Sequence, residues 1–209
     1  MSAIVCSLAM TLLGLGVAGA QDSTMSFFIT GEGPGDGANL GGLEGADAHC
    51  ASLAEGAGVT GKTWRAYLST NAEGGTAVNA RDRIGAGPWY NANGVMVAQN
   101  VDDLHSDNNQ LSKENSVSET GGVINGRGDS PNMHDIITGS NSDGTVADGT
   151  CGNWMSNAGD GSASVGHHDR EGGGPDPTSW NASHASRGCG QADLQGTGGN
   201  GLFYCFAID

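Results

Sequence analysis

Glycine occupies 38 of the 209 positions of this chain, about 18%, where roughly 7% is usual. The glycines follow no three-residue period, which excludes a collagen triple helix. Hydrophobic residues make up only 36% of the chain. We therefore expect a small core with many loops, in a fold that gains stability from covalent cross-links, because these reduce the freedom of the unfolded chain.

The first twenty residues differ from the rest. They carry no charged side chain, are apolar from Ile4 to Val17, and end in Ala18-Gly19-Ala20. This pattern predicts a cleaved signal peptide over residues 1–20, with an uncleaved anchor as the alternative. The rest of the chain, 21–209, is then a single domain that is secreted, periplasmic or held at the cell surface.

Four cysteines remain after the apolar segment: Cys50, Cys151, Cys189 and Cys205. An exported chain meets an oxidising compartment, so an even number of cysteines predicts disulfides. No two of them form a Cys-x-x-Cys pair, which argues against a zinc ribbon or a thioredoxin-like centre. The count predicts two disulfides and leaves three pairings open.

Regular elements lie mainly at the two ends of the domain. Residues 26–30 and 63–69 have the composition and alternation of short strands. Apolar residues at helical spacing between them predict a helix that ends at Gly56 and holds Cys50 on its buried face. Residues 201–208 are apolar on both faces, which predicts a central strand. We expect the first and last strands to pair.

The remaining residues are mostly polar. Residues 71–150 contain only short candidate elements, and residues 156–178 are rich in Gly, Ser and Asp. The sequence therefore predicts an α+β fold with long irregular loops and a mixed, mostly antiparallel sheet.

The layout and several short motifs resemble the C-type-lectin-like fold, and most closely its endostatin branch. Bacteria also contain exported, lectin-like proteins with this general pattern. The matching stretches are Gly45-Ala46-Asp47-Ala48-His49-Cys50 with Thr63 to Ser69, Thr138-Gly139-Ser140 with Asp143-Gly144, Cys151-x-x-Trp154, Ser186-x-x-Cys189 and Tyr204-Cys205.

The resemblance implies nested disulfides, Cys50 with Cys205 and Cys151 with Cys189. It also implies a non-catalytic protein that binds a carbohydrate or another extracellular polymer. The basic heparin-binding surface and the N-terminal zinc histidines of mammalian endostatin have no counterpart here. The Glu-Pro-Asn, Gln-Pro-Asp and Trp-Asn-Asp motifs of calcium-dependent lectins are missing as well.

The charge balance limits the partners. Eight Lys and Arg against 23 Asp and Glu give a net charge of −15. Binding to nucleic acid needs clustered basic residues, and docking on an anionic membrane surface needs the same. We therefore expect neither partner, and heparin is excluded for the same reason.

An acidic segment is the candidate calcium site. Asp102, Asp103 and Asp107 lie close together among other oxygen donors, and calcium takes six to eight oxygen ligands. The spacing does not match an EF-hand. The alternative is a solvated or helix-capping acidic loop.

A histidine-rich segment is the candidate transition-metal site. His167, His168 and Asp169 are consecutive, and His184 can approach them through the second predicted disulfide loop. Adjacent histidines in a strand point to opposite faces, which weakens a joint role. The alternative is a network in which Asp169 or Asp135 pairs with Arg170, Arg187 or Arg127.

Further ligand-binding candidates are scattered along the chain. Trp89, Tyr90 and Trp180 lie beside polar segments and are candidates for stacking on sugar rings, with a role in the core as the alternative. His184 is included with them as a polar ligand contact. Asp129 belongs to an Arg127-Gly128-Asp129 motif of the type that integrins bind, where a salt-bridged turn is the alternative.

Catalytic motifs are missing. The chain has no Gly-x-Ser-x-Gly elbow, no phosphate-binding loop and no dinucleotide fingerprint. We therefore expect no enzyme and no obligatory cofactor, with calcium as an option. A secreted hydrolase that uses the acidic and histidine loops, and a structural or adhesive surface protein, are the alternatives.

Overall fold

A computed structural model describes residues 24–72 and 75–209. The predicted signal peptide, residues 1–20, lies outside the described residues. The elements in chain order are β1 (Phe27–Ile29), α1 (Gly42–Gly56), β2 (Trp64–Ala66), β3 (Trp89–Tyr90), β4 (Met96–Ala98), α2 (Val101–Leu104), β5 (Asp135–Ile137), α3 (Cys151–Trp154), β6 (Ser164–His167), β7 (His184–Ala185), α4 (Gln191–Thr197) and β8 (Tyr204–Ala207).

The first sheet joins the two ends of the described chain. Its strand order is β1-β8-β2, and β8 pairs antiparallel with both neighbours. Cys205 lies opposite Phe28 on one side and Ala66 on the other. The expected central closing strand and its pairing with the first strand are confirmed.

Helix α1 covers one face of this sheet. Ala46, Cys50 and Ala54 form its buried stripe, and the disulfide Cys50–Cys205 ties the helix to β8 with a Cα–Cα distance of 5.7 Å. Gly58, with φ at 85°, follows the last turn in the left-handed conformation that glycine adopts at low cost.

The opposite face of the sheet carries an aromatic core. Tyr67, Tyr204 and Phe206 stand at its centre, and their rings contact one another. Trp89 packs edge-on against Phe206 with ring centroids 5.2 Å apart, and Trp180 contacts Tyr67 at 4.8 Å. Six aromatic side chains belong to this core, and four others, Phe28, Trp64, Trp154 and Phe203, belong to the core on the side of α1; each buries a large apolar area.

A second three-stranded sheet, in the order β5-β6-β7, is built from the polar part of the sequence. Both strand pairs are antiparallel, with Asp135 opposite His167 and Val165 opposite His184. The second disulfide, Cys151–Cys189, joins α3 to the segment before α4. The two disulfides follow the nested pairing that the resemblance implies.

The fold is therefore α+β with antiparallel sheets, long connections and two disulfides. Disulfides are typical of proteins from oxidising compartments. Among the described residues, no helix has the length and apolar character needed to cross a bilayer.

Candidate metal centre

Four side chains converge at one end of the second sheet: His134, Asp135, His167 and His184. Asp135 and His167 are directly opposed in β5 and β6, so their side chains share a face. His184 lies opposite Val165. Val165 is two residues before His167 in β6, so Val165, His184 and His167 share one face of the sheet. His134 comes just before β5 and reaches the same place from the adjoining turn.

The ligand-forming atoms of this cluster lie at short distances. Asp135 Oδ1 is 3.2 Å from His134 Nε2, 3.3 Å from His167 Nε2 and 3.6 Å from His184 Nε2. The Nε2 atoms of His167 and His184 are 3.0 Å apart. Candidate ligand atoms of His134, Asp135 and His167 all lie within 4.8 Å of one another, and His184 stands at the edge of this group.

The other ring nitrogens fix the tautomers. His134 Nδ1 faces Asp169 Oδ1 at 3.3 Å, His167 Nδ1 faces the Pro177 carbonyl at 2.8 Å, and His184 Nδ1 faces the Ala185 carbonyl at 3.2 Å. Carbonyl and carboxylate oxygens only accept hydrogen bonds, so each Nδ1 carries the proton. In the neutral rings, all three Nε2 atoms therefore direct lone pairs at the centre of the cluster.

Asp135 supplies a fourth lone-pair donor at that centre. Asp135 is 2% exposed, and neither of its carboxylate oxygens has a well-oriented hydrogen-bond partner among the described residues. A buried carboxylate without donors is costly, and three facing imidazole lone pairs add repulsion. A cation at the centre would turn all four groups into ligands.

Two neighbouring groups have pKa values that fit this arrangement. Burial alone would raise the pKa of Asp169, but His134 and the backbone N–H groups of Arg127 and Glu171 outweigh it and hold the pKa well below its usual range. Burial also opposes the charged form of His167, yet the Asp135 carboxylate and the Pro177 carbonyl raise its pKa above the ordinary value. A proton on His167 Nε2 would donate to Asp135 Oδ1, 3.3 Å away, so a proton and a metal ion compete for the centre of the cluster. Asp169 is therefore a permanent anion that orients His134.

Three glycines pack against the three rings. A Cβ on Gly172 would collide with the His167 ring, a Cβ on Gly174 would lie 3.2 Å from His184 Cδ2, and a Cβ on Gly198 would lie 3.2 Å from His134 Nε2. Each glycine therefore allows the backbone to approach a ring more closely than another residue would permit.

The cluster borders an open depression of about 410 Å³. All three histidines of the cluster line it, whereas Asp135 lies behind them. The depression is also lined by Arg127, Asn132, Gly173, Gly174 and Thr197. An ion on Asp135 Oδ1 would thus have protein behind it and the depression on its outer side.

The structure corrects part of the predicted transition-metal set. His167 and His184 belong to the cluster, but His168 points to the other face of β6 and directs Nε2 at the Asn125 carbonyl, 3.2 Å away. Asp169 is a partner of His134 and faces away from the centre. Of the alternative Arg-Asp-His network, Asp169 joins His134 to the Arg127 backbone N–H, whereas the Arg170 guanidinium donates to Leu111, Thr178 and Asn109.

The predicted calcium site is not formed by the described residues. Asp103 takes part in a capping box, accepting from the Gln99 N–H while Asn100 accepts from the Asp103 N–H. Asp102 is almost fully exposed and pairs with Arg81, and Asp107 lines a different depression. The three carboxylates do not converge. Asp103 caps the start of α2, and Asp102 and Asp107 are exposed to solvent.

The remaining ligand-binding candidates lie partly in the core and partly at the surface. Trp89 and Trp180 are 1% and 3% exposed, so neither indole face is open to a sugar and the structure assigns both to the core. Tyr90 is half-buried in β3. Asp129 accepts from Lys113 Nζ at 2.6 Å and from the Gly126 N–H at 2.8 Å, which is the salt-bridged turn.

Two residues of the cluster, His134 and Asp135, were not predicted as ligands. The sequence signal is the position of His134-Asp135 directly before the apolar pair Ile136-Ile137. His167 likewise lies at the end of a short strand. That signal becomes specific only when the pairing of β5 with β6 is known.

No protein-family model matches this chain, and no curated protein matches it.

Proposed function

We propose that this protein is a metal-binding protein of an oxidising compartment, and that His134, Asp135, His167 and His184 hold one zinc ion. The observation that carries the proposal is the set of Nδ1 partners, which leaves three Nε2 lone pairs facing a buried carboxylate that has no well-oriented hydrogen-bond partner within residues 24–72 and 75–209.

The donor set favours zinc over calcium. Zinc binds imidazole nitrogen and carboxylate oxygen, whereas calcium takes six to eight oxygens. With metal–ligand bonds of about 2.0–2.1 Å, the ligand atoms of a tetrahedral site lie roughly 3.3 Å apart. The three distances from Asp135 Oδ1 to the Nε2 atoms, and the distance between the Nε2 atoms of His167 and His184, run from 3.0 to 3.6 Å. His184 stands outside the group whose ligand atoms all lie within 4.8 Å of one another, so its ring would have to shift towards His134 to complete a tetrahedron.

The setting of this centre rests on the sequence resemblance. We propose an exported domain of the C-type-lectin-like, endostatin-related type that binds a carbohydrate or another extracellular polymer without catalysis. The hydrolase alternative needs a general base beside the metal. The residues that line the depression offer no free carboxylate for this role, which favours binding.

Titration of chelator-treated protein with zinc tests the proposal. We expect one zinc ion per chain in calorimetry, and a melting temperature that rises with zinc concentration because the ion binds the folded state. Asp135→Asn should abolish this binding. His168→Asn is the matched control, since it changes an adjacent buried histidine outside the cluster, and it should keep full stoichiometry. Loss of zinc binding in both variants, or no zinc binding by the unmodified protein, would overturn the proposal.

A further inference from the structure

The depression beside the metal centre is unusual in its charge. The chain carries 23 acidic residues, yet none of the eight residues that line the depression is acidic. The lining instead offers the Arg127 guanidinium and the Asn132 amide next to the three imidazoles, while the Thr197 hydroxyl at its rim donates to the Asp193 carbonyl. This is a patch of hydrogen-bond donors in a molecule that is otherwise strongly negative.

Arg127 is tied to the metal centre through one carboxylate. Its backbone N–H donates to Asp169 Oδ2 at 2.6 Å, and the other oxygen of Asp169 holds His134 Nδ1. The residue itself is exposed, and its guanidinium forms no ion pair within the described part of the chain. The backbone of Arg127 is therefore fixed beside the cluster, while its charged end remains available to a ligand.

We propose that this depression binds the carboxylate of a uronic acid unit, with the Arg127 guanidinium pairing both oxygens and the charge of the metal ion, which four protein groups already hold, adding to the attraction. The inference rests on the proposed zinc centre. A divalent ion and a guanidinium outweigh the two negative charges of Asp135 and Asp169, so the site attracts an anion. The planar guanidinium fork fits a carboxylate in bidentate geometry.

The charge of the whole molecule limits the ligand to one or a few carboxylates. A net charge of −15 repels long polyanions, whereas a single uronic acid at a chain end meets only the local positive field. Asn132 lines the same depression, so its side-chain amide is the group we expect to meet a hydroxyl of the same sugar. The ligand class is therefore a carbohydrate with a terminal uronic acid.

Calorimetry on the zinc-loaded protein tests this inference. The probes are digalacturonate, its methyl ester with both carboxylates esterified as a neutral control of nearly equal shape, acetylglycine as a peptide-like carboxylate, and inorganic phosphate. We expect digalacturonate to bind and its methyl ester to bind at least about tenfold more weakly, because one charge-assisted pair is lost. Arg127→Met should weaken digalacturonate binding by a similar factor and leave zinc stoichiometry unchanged.

Arg187→Met is the control for net charge. Arg187 is also exposed and does not line the depression, so this variant should bind digalacturonate within about twofold of the unmodified protein. Equal binding of the acid and its ester, tighter binding of acetylglycine or phosphate, or equal losses in the two arginine variants would overturn the inference. If zinc binds and digalacturonate does not, the inference fails while the zinc proposal stands.

Discussion

The proposed metal centre depends on the position of each imidazole, and one added carbon atom is enough to displace a ring. Gly172 and Gly173 are adjacent, but only Gly172 approaches a ring: an added Cβ there collides with His167, while a Cβ on Gly173 meets nothing within 4 Å. Since the Pro177 carbonyl also holds that ring, His167 cannot move without losing its hydrogen bond.

We therefore expect Gly172→Ala to weaken zinc binding by about tenfold or more, the size of effect seen when the partners that orient a ligand are lost. Gly173→Ala should leave zinc affinity within about twofold, because its Cβ meets no neighbouring atom. The measurement is zinc titration of both variants. Similar affinities in the two would show that the backbone near His167 does not set the geometry of the site.

Outside the cluster, the half-buried His105 makes the free energy of unfolding depend on pH. His105 donates through Nδ1 to the Val101 carbonyl and accepts through Nε2 from the Tyr67 hydroxyl, at 2.7 Å each, so the neutral ring satisfies both partners. Burial lowers the pKa of His105 below its ordinary value of 6.5. The unfolded chain then takes up a proton at a higher pH than the folded chain does, and the contribution of His105 to stability is lost as pH falls from 6.5 through the folded pKa.

Denaturant unfolding of zinc-free protein at pH 7.5 and pH 5.5 measures this effect. We expect the unmodified protein to lose more stability on acidification than His105→Gln, which keeps a polar side chain but does not titrate. The same pH dependence in both proteins would mean that His105 contributes nothing to it.

At the scale of elements, the ends of the domain were predictable and the middle was not. Helix α1, strand β2 and the closing strand β8 carry their own periodicity, and the motifs around Cys50 and Cys205 indicate how they are joined. Strands β5, β6 and β7 are short and polar, so no local pattern shows which residues they place opposite each other. His167 and His184 were recognisable as candidates, whereas Asp135 became a ligand only through the register of β5 with β6.

The two disulfides stabilise elements of very different sequence separation. Cys50–Cys205 closes 155 residues and Cys151–Cys189 closes 38. On chain entropy alone, these loops correspond to about 5 and about 4 kcal/mol. Replacing each pair by alanine should therefore cost about 1 kcal/mol more for Cys50–Cys205, as measured by urea unfolding with zinc present. A larger loss for Cys151–Cys189 would contradict this order.

At the scale of the molecule, the first sheet, α1 and the aromatic core form a frame that closes the two ends of the described chain on each other. The second sheet, with long connections and few large apolar side chains, depends on other interactions. The Cys151–Cys189 disulfide is one of them, and a zinc ion shared by β5, β6, β7 and the turn before β5 would be another. Such an ion would offset the cost of burying a carboxylate among three imidazoles, where apolar residues would otherwise pack more cheaply.

The central claim is that Asp135 and the three Nε2 atoms are ligands of a single ion. A crystal structure of zinc-soaked protein, with anomalous diffraction recorded on both sides of the zinc edge, tests it directly. We expect one strong peak at about 2.0–2.2 Å from Asp135 Oδ1 and from the Nε2 atoms of His134, His167 and His184. Full loading with the peak elsewhere, or an ordered cluster whose imidazoles donate hydrogen bonds to Asp135 without any peak, would contradict the account.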